Sequence, residues 1–198
     1  EEDKIKNQNY YRLSMKNKII IACSSLVVLI IFFMINLKTQ QSLQSSSSKI
    51  FSIDKNIIKK INIKSNDDMI ELSKLDTTWM IIGHDSLQCK QNLIDSFFDR
   101  VLTLESETIM TKNQDKWSIY SVDDSLGTHL EIIDSNANSL GAYIFGASSS
   151  DFSRCYMRKI GTPEVLLVHQ NVMYNLQVNP NYWGEVIKEL MPSPNQEL

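Results

Sequence analysis

The chain has 198 residues, 42% of them hydrophobic, which gives room for one folded domain plus an accessory segment and excludes disorder along the whole length. Six Gly and four Pro exclude collagen-like and Gly/Pro-rich architectures and leave no glycine-rich loop to cradle a phosphate. The net charge of -3 is unevenly distributed: residues 1–49 hold seven Lys/Arg against three acids, whereas residues 50–198 hold thirteen against twenty. The folded part of a nucleic-acid reader should be basic, so that class is disfavoured.

Residues 19–37 read IIIACSSLVVLIIFFMINL, nineteen residues without a charge. As a helix this run would extend about 28 Å, close to the span of a bilayer core, and it is expected to be a transmembrane anchor. A cleaved secretory signal would need a shorter apolar core and a small-x-small site, which Asn36-Leu37-Lys38-Thr39 does not offer. Ile20-Ile21-Ala22-Cys23 has the local pattern of a lipid-modified cysteine, but the apolar run continues well beyond it. Arg12, Lys16 and Lys18 precede the run and only Lys38 follows closely, so the positive-inside bias predicts a cytoplasmic N-terminus and an extracytoplasmic C-terminal domain. Met15-Lys16-Asn17-Lys18 resembles a bacterial membrane-protein start, which makes residues 1–14 either upstream sequence or a short cytoplasmic tail within the N-terminal segment 1–18. Residues 38–49 are polar, with serines at 45–48, and read as a flexible linker.

The segment 50–192 is expected to be an α+β domain, followed by a short tail at 193–198. Ile57-Ile58-Lys59-Lys60-Ile61-Asn62-Ile63 ends in alternation, Asn66-Asp67-Asp68 is a turn cluster, and residues 69–72 resume an apolar run, which predicts a β-hairpin. Residues 78–82 supply a third strand, and Gly83-His84-Asp85-Ser86 turns the chain. Leu93, Ile94, Phe97, Phe98, Val101 and Leu104 fall on one helical stripe, with Asp85 and Gln88 expected to cap its start. After residues 107–111 the strand pattern recurs, with strands predicted at residues 128–134, 140–145, 155–159 and 165–168 and a turn at Ser135-Asn136-Ala137-Asn138. Asn179-Pro180 should start a terminal helix through Trp183, Val186, Ile187 and Leu190. Ile61-x-Ile63 is echoed by Leu130-x-Ile132, each followed by Ser-Asn, so a duplicated β-β-β-α unit is one reading of the two halves.

Candidate chemistry is sparse. His84-Asp85-Ser86 contains the residue types of a hydrolase triad, but adjacent turn residues rarely point at one another, so a turn is expected. Asp123-Asp124 is expected to be a solvated turn before Gly127, since no calcium-loop spacing follows. His84, His129 and His169 lack close Cys or acidic companions at metal-ligand spacing. Trp79, Trp117 and Trp183 are expected in the core, with a ligand cleft as the alternative. Arg154, Arg158 and Lys159 form a small basic spot, expected on a solvated strand face or else near lipid headgroups. Cys89 and Cys155 are expected to be free buried thiols, a disulfide being the alternative in an oxidising compartment. No residue is assigned a catalytic, cofactor-binding or metal-ligating role.

The order of Lys60-Ile61-Asn62-Ile63, Ile70-Glu71-Leu72-Ser73-Lys74, Trp79-Met80-Ile81, a helix at 94–104, Tyr120-x-Val122-Asp123-Asp124, residues 130–132, Ile144-Phe145-Gly146, Tyr156-Met157-Arg158 and Glu164-Val165-Leu166-Leu167-Val168 resembles domain-of-unknown-function family 4340 over about residues 50–190. Ser121 stands where the family's turn is expected to carry Gly. The resemblance implies a single-anchor bacterial envelope protein with an accessory role beside gliding-type ABC transporters, without known catalysis. The expected function is therefore a membrane-anchored accessory or scaffold protein at the inner membrane that binds other envelope proteins, ABC-transporter subunits among them, and no nucleic acid. The alternatives are a small-molecule or lipid-binding module, marked by a closed apolar pocket, and a hydrolase, marked by convergence of His84-Asp85-Ser86 or Asp123-Asp124 in a cleft.

Overall fold

The computed structural model describes residues 20, 23–35 and 48–187. Residues 23–35 form a helix, α1, within a unit covering residues 1–44. Among the described residues no helix is long and apolar enough to cross a membrane; residues 19, 21, 22, 36 and 37 of the expected anchor lie outside the described residues. So do the N-terminal segment 1–18, most of the linker and the tail 193–198.

The second unit, residues 45–198, is a mixed α/β domain built on a nine-stranded antiparallel sheet. Strand β1 (Ser48–Lys49) opens it by pairing with Ser106 and Glu105, so the sheet begins within the last two residues of the expected linker. The alternating runs then form the predicted hairpin, β2 (Ile58–Ser65) and β3 (Asp68–Leu75), and β4 (Thr78–Ile81) adds the third strand. Both connections are two residues long, and each places an Asx residue in the left-handed region, Asn66 and Asp76, both at φ 53°. Asn and Asp are the side chains that tolerate that conformation best.

Between β4 and the helix the structure departs from the expected cap. Residues 87–89 form a short strand, β5 (Leu87–Cys89), so α2 (Gln91–Val101) starts two residues later, after Lys90. Asp85 therefore caps nothing. Lys90 makes no side-chain cap bond to α2; its backbone N–H donates to Trp183 O at 2.7 Å, and its ammonium donates to the carbonyls of Asn181 and Tyr182 at 3.1 Å. Those carbonyls belong to α3 (Pro180–Trp183), a single turn whose free C-terminal acceptors are met by a cation. Asn179 caps α3 and Pro180 sits in its first turn, as expected, but the helix stops after four residues. Gly184 begins strand β11 (Gly184–Val186), which pairs with β5, so Val186 lies in a strand and Leu190 outside the described residues. A Cβ on Gly184 would sit 2.7 Å from the Leu87 Cβ and 2.8 Å from the Ile81 Cδ1, so this close pairing needs glycine.

The rest of the sheet is β6 (Glu105–Thr111), β7 (Thr128–Asp134), β8 (Ser139–Ala147), β9 (Cys155–Lys159) and β10 (Val165–Val168). Its spatial order is β1-β6-β10-β9-β8-β7-β2-β3-β4. At the centre β2 pairs with β7, Ile61 opposite Ile132 and Ile63 opposite Leu130. The positions that echo each other in sequence thus exchange partners across one ladder, as a local two-fold relating β2-β3-β4 to β7-β8-β9 requires. The echo ends there: β4 leads through β5 into α2, whereas β9 leads into a fourth meander strand, so the β-β-β-α unit is not repeated as such.

Period-two alternation sends Ile61, Ile63, Ile70, Leu72, Leu130, Ile132, Phe145 and Met157 to one face, where Ile94, Phe97 and Val101 of α2 cover them together with Val172, Leu176 and Trp183. Phe97 meets Phe98 and Trp183 edge-on, with ring centroids 5.7 and 6.4 Å away. Leu104 is buried as expected but lies beyond the helix, which ends at Val101. Phe97→Ala is expected to cost about 3–5 kcal/mol, because the fully buried ring leaves a cavity among rigid neighbours; urea unfolding of the variant measures it.

Candidate functional site

The opposite face of the sheet is covered over only part of its width. Residues 114–127 cross it, first as a 3-10 helix (Gln114–Tyr120) and then as a turn, and bury Val122 against Ile144 and Val165. Met110, Trp117, Tyr120 and Tyr156 close the rim of this second core. Such close crossing needs an absent side chain: a Cβ on Gly146 would collide with the Tyr120 carbonyl oxygen, and one on Gly127 with the Ile144 Cγ2. The 3-10 helix ends at Ser121, which lies in the left-handed region at φ 52°, the corner where Gly was expected.

This layer contains a polar cluster built around one buried arginine. Arg158, on β9, is 3% exposed. Its Nε donates to the Val122 carbonyl at 3.1 Å, its Nη2 to Asp124 Oδ1 at 2.8 Å, and its guanidinium carbon lies 3.7 Å from the centroid of the Trp117 ring. Trp117 in turn donates its indole N–H to Pro163 O at 3.2 Å. The expected solvated basic spot is thereby corrected: strand alternation turns Arg158 under the crossing segment, where stacking and two acceptors replace water. Arg154 donates to Glu107 Oε2 at 2.7 Å and Asp151 Oδ2 at 2.6 Å in a solvated ion-pair cluster, and Lys159 is exposed, so the solvated reading is corrected for Arg158 alone.

Asp123 and Asp124 are adjacent but have separate tasks. Asp123 Oδ1 accepts from the Ser125 hydroxyl at 2.7 Å and from the backbone N–H groups of Ser125 and Leu126 at 2.9 and 2.8 Å. Its carboxyl is held below the ordinary value of 3.8, chiefly by the Ser125 hydroxyl. Asp124, 82% exposed, faces Arg158 instead, and its backbone carbonyl lies 3.1 Å from His129 Nε2. His169 Nδ1 accepts from the Glu105 N–H at 3.1 Å. His84, Asp85 and Ser86 are all exposed in the turn before β5, and no hydrogen bond joins their side chains among the described residues. The structure therefore does not assemble His84, His129 and His169, and no group of three or more His, Cys, Asp or Glu suited to a metal occurs among the described residues.

Trp79 and Trp183 lie in the main core as expected, and Trp117 serves as the platform for Arg158. Cys89 and Cys155 are free; Cys155 is buried and Cys89 half-buried. Burial pushes both thiols up to about 11, so at neutral pH they are protonated and poor nucleophiles.

The cavity on the uncovered part of the sheet is an open groove of about 390 Å³, lined by Lys59, Lys60, Ser73, Lys74, Ile133, Asp134, Ser135 and Ala137. Its walls are the strand ends of β2 and β3 and the β7–β8 turn. The β2–β7 register shifts between Ile58 and Lys60, which makes Lys59 a bulged residue beside the groove. Asp134 is absorbed by its own turn, accepting from the N–H groups of Asn136 and Asn138 at 2.8 Å and from Asn138 Nδ2 at 3.1 Å. Neither the Arg158 cluster nor this groove is apparent from sequence spacing. Trp117 and Arg158 are far apart in the chain, and only the lysines' position at strand ends hinted at the groove.

The family model described as "Domain of unknown function (DUF4340)" matches residues 79–186, more than half of the chain, and the chain belongs to that family. The matched span runs from β4 to β11 and includes the whole Arg158 layer, whereas the β2–β3 hairpin precedes it. No curated protein and no solved structure matches the chain.

Two outcomes are expected here. Arg158→Met should cost about 2–4 kcal/mol, by orphaning the Val122 carbonyl and losing the stacked cation, while Asp124→Asn should cost under about 1 kcal/mol because that carboxylate is exposed; denaturant titration separates them. Asp123 has a depressed folded value, so its contribution is present above the unfolded value of 3.8 and is lost as pH falls through the folded one. Asp123→Asn should therefore flatten the acid limb of a plot of unfolding midpoint against pH.

Proposed function

Starting from membership in this family, we propose that the protein is a single-pass, membrane-anchored accessory protein whose extracytoplasmic domain binds other envelope proteins at a bacterial inner membrane, with ABC-transporter subunits the leading partners. The observation that carries this reading is the uncharged run at residues 19–37 placed before a polar stretch and a separate folded unit. That arrangement holds a domain beside membrane partners, where an effective concentration in about the millimolar range makes weak contacts sufficient. The fate of the candidate chemistry supports it: Asp123, Asp124, His129 and His169 are each engaged in a turn, an ion pair or a backbone contact that holds the domain together. The family's implied association with gliding-type transporters supports the choice of partner.

Protease added to spheroplasts is expected to digest the domain beyond residue 48 while sparing the N-terminal segment, and crosslinking of the full chain is expected to recover integral-membrane proteins. Protection of the C-terminal domain would reverse the orientation and remove the envelope role.

A further inference from the structure

The lysine groove has an electrostatic imbalance. In the β2–β3 ladder Lys60 stands opposite Ser73, the last pair at this end, and the next residue of each strand, Lys59 and Lys74, also lines the groove. Both side chains are half-buried, and neither makes an ion pair among the described residues. Lys60 is paired with Glu71 at 2.8 Å, and the one carboxylate lining the groove, Asp134, accepts from the neutral N–H groups of Asn136 and Asn138 and keeps its negative charge. The lining thus carries three lysines against that one carboxylate, in a segment, residues 50–198, that has seven more acidic than basic side chains.

We propose that this groove receives an extended acidic segment of a partner protein, whose carboxylates sit between Lys59 and Lys74 and complete the charge balance that the domain leaves open. This rests on the binding role proposed above and names its surface. A volume of about 390 Å³, open to solvent along the strand ends, suits a length of chain better than a compact inorganic anion. Ile133 lines the groove and offers an apolar contact, and Ser135 and Ala137 of the β7–β8 turn line it as well. Lys59 is the bulged residue of the β2–β7 ladder and lines the groove.

The test is calorimetric titration of the full-length chain with a short Asp/Glu-rich peptide, its Asn/Gln counterpart and inorganic phosphate, repeated on a Lys59→Gln/Lys74→Gln variant. The acidic peptide should bind saturably and more weakly as salt rises, the neutral one should not bind, and the variant should bind about tenfold more weakly or worse. The variant's unfolding midpoint should match the parent's, since neither lysine makes an ion pair among the described residues. Equal peptide binding by the variant, phosphate binding as tight as the peptide's, or a lowered midpoint would each overturn the proposal. Crosslinking separates it from the broader role. Partner recovery by the variant at the parent's yield would overturn the groove and leave the tethered role standing, whereas saturable peptide binding without any membrane partner would support the groove and reject that role.

Discussion

The β2–β7 ladder is the pairing on which the rest of the domain depends. Ile61, Ile63, Leu130 and Ile132 are almost completely buried, and they join two meanders from distant parts of the chain into one sheet. Without that ladder β2-β3-β4 would be a three-stranded piece with an uncovered apolar face, and α2, which follows it, would have only half a surface to cover. The ladder also sets register for everything outside it. With a period of two, a slip by one residue would send Ile61 and Ile63 outward and bring Asn62 into the core.

A sheet of this width has two faces to manage, and the chain treats them differently. One face is closed by α2 and the C-terminal segment, tied together by Lys90 to α3, Asn175 to Ser96 and Gln170 to Arg100. The other face is closed over β8, β9, β10 and part of β6 by residues 114–127, whose Tyr120 and Ser121 backbone presses on Gly146 and whose Gly127 lies against Ile144, the segment being anchored on Arg158. Over β2, β3 and β4 it stays open, with Met69, Leu75 and Met80 exposed and the lysine groove at the strand ends. The proposed binding surface lies on the open half: the covered half is committed to stability, while the strand ends of the open half carry Lys59 and Lys74, which make no ion pair among the described residues.

Much of this was legible from local pattern. Alternation located the β2–β3 hairpin because one face is buried, and the stripe of Ile94, Phe97 and Val101 located α2 because a helix lying on a sheet must be amphipathic. Two errors share one cause. Asp85 looked like a cap and Val186 like a helical position because β5 and β11 are three residues long, too short to show alternation, and exist only by pairing with each other. Gly184 was the available signal, placed directly after Trp183 where a helix would end. Arg158 was misjudged for a different reason. Alternation gives the face a side chain occupies but not what crosses that face, and its partners Trp117, Val122 and Asp124 lie in a segment with no strand or helix periodicity. Ser121 was legible as an anomaly, and its left-handed backbone explains why glycine was expected there.

The most direct measurement is amide hydrogen exchange resolved by residue on the full-length chain, because it reports whether the two meanders open together or separately. If the central ladder welds them into one unit, the amides of Ile61, Ile63, Leu130 and Ile132 should be among the slowest in the domain and should exchange only through global unfolding, with the same sensitivity to denaturant. Exchange of β2-β3-β4 by a separate, less costly opening while β7-β8-β9 stays protected would contradict the account.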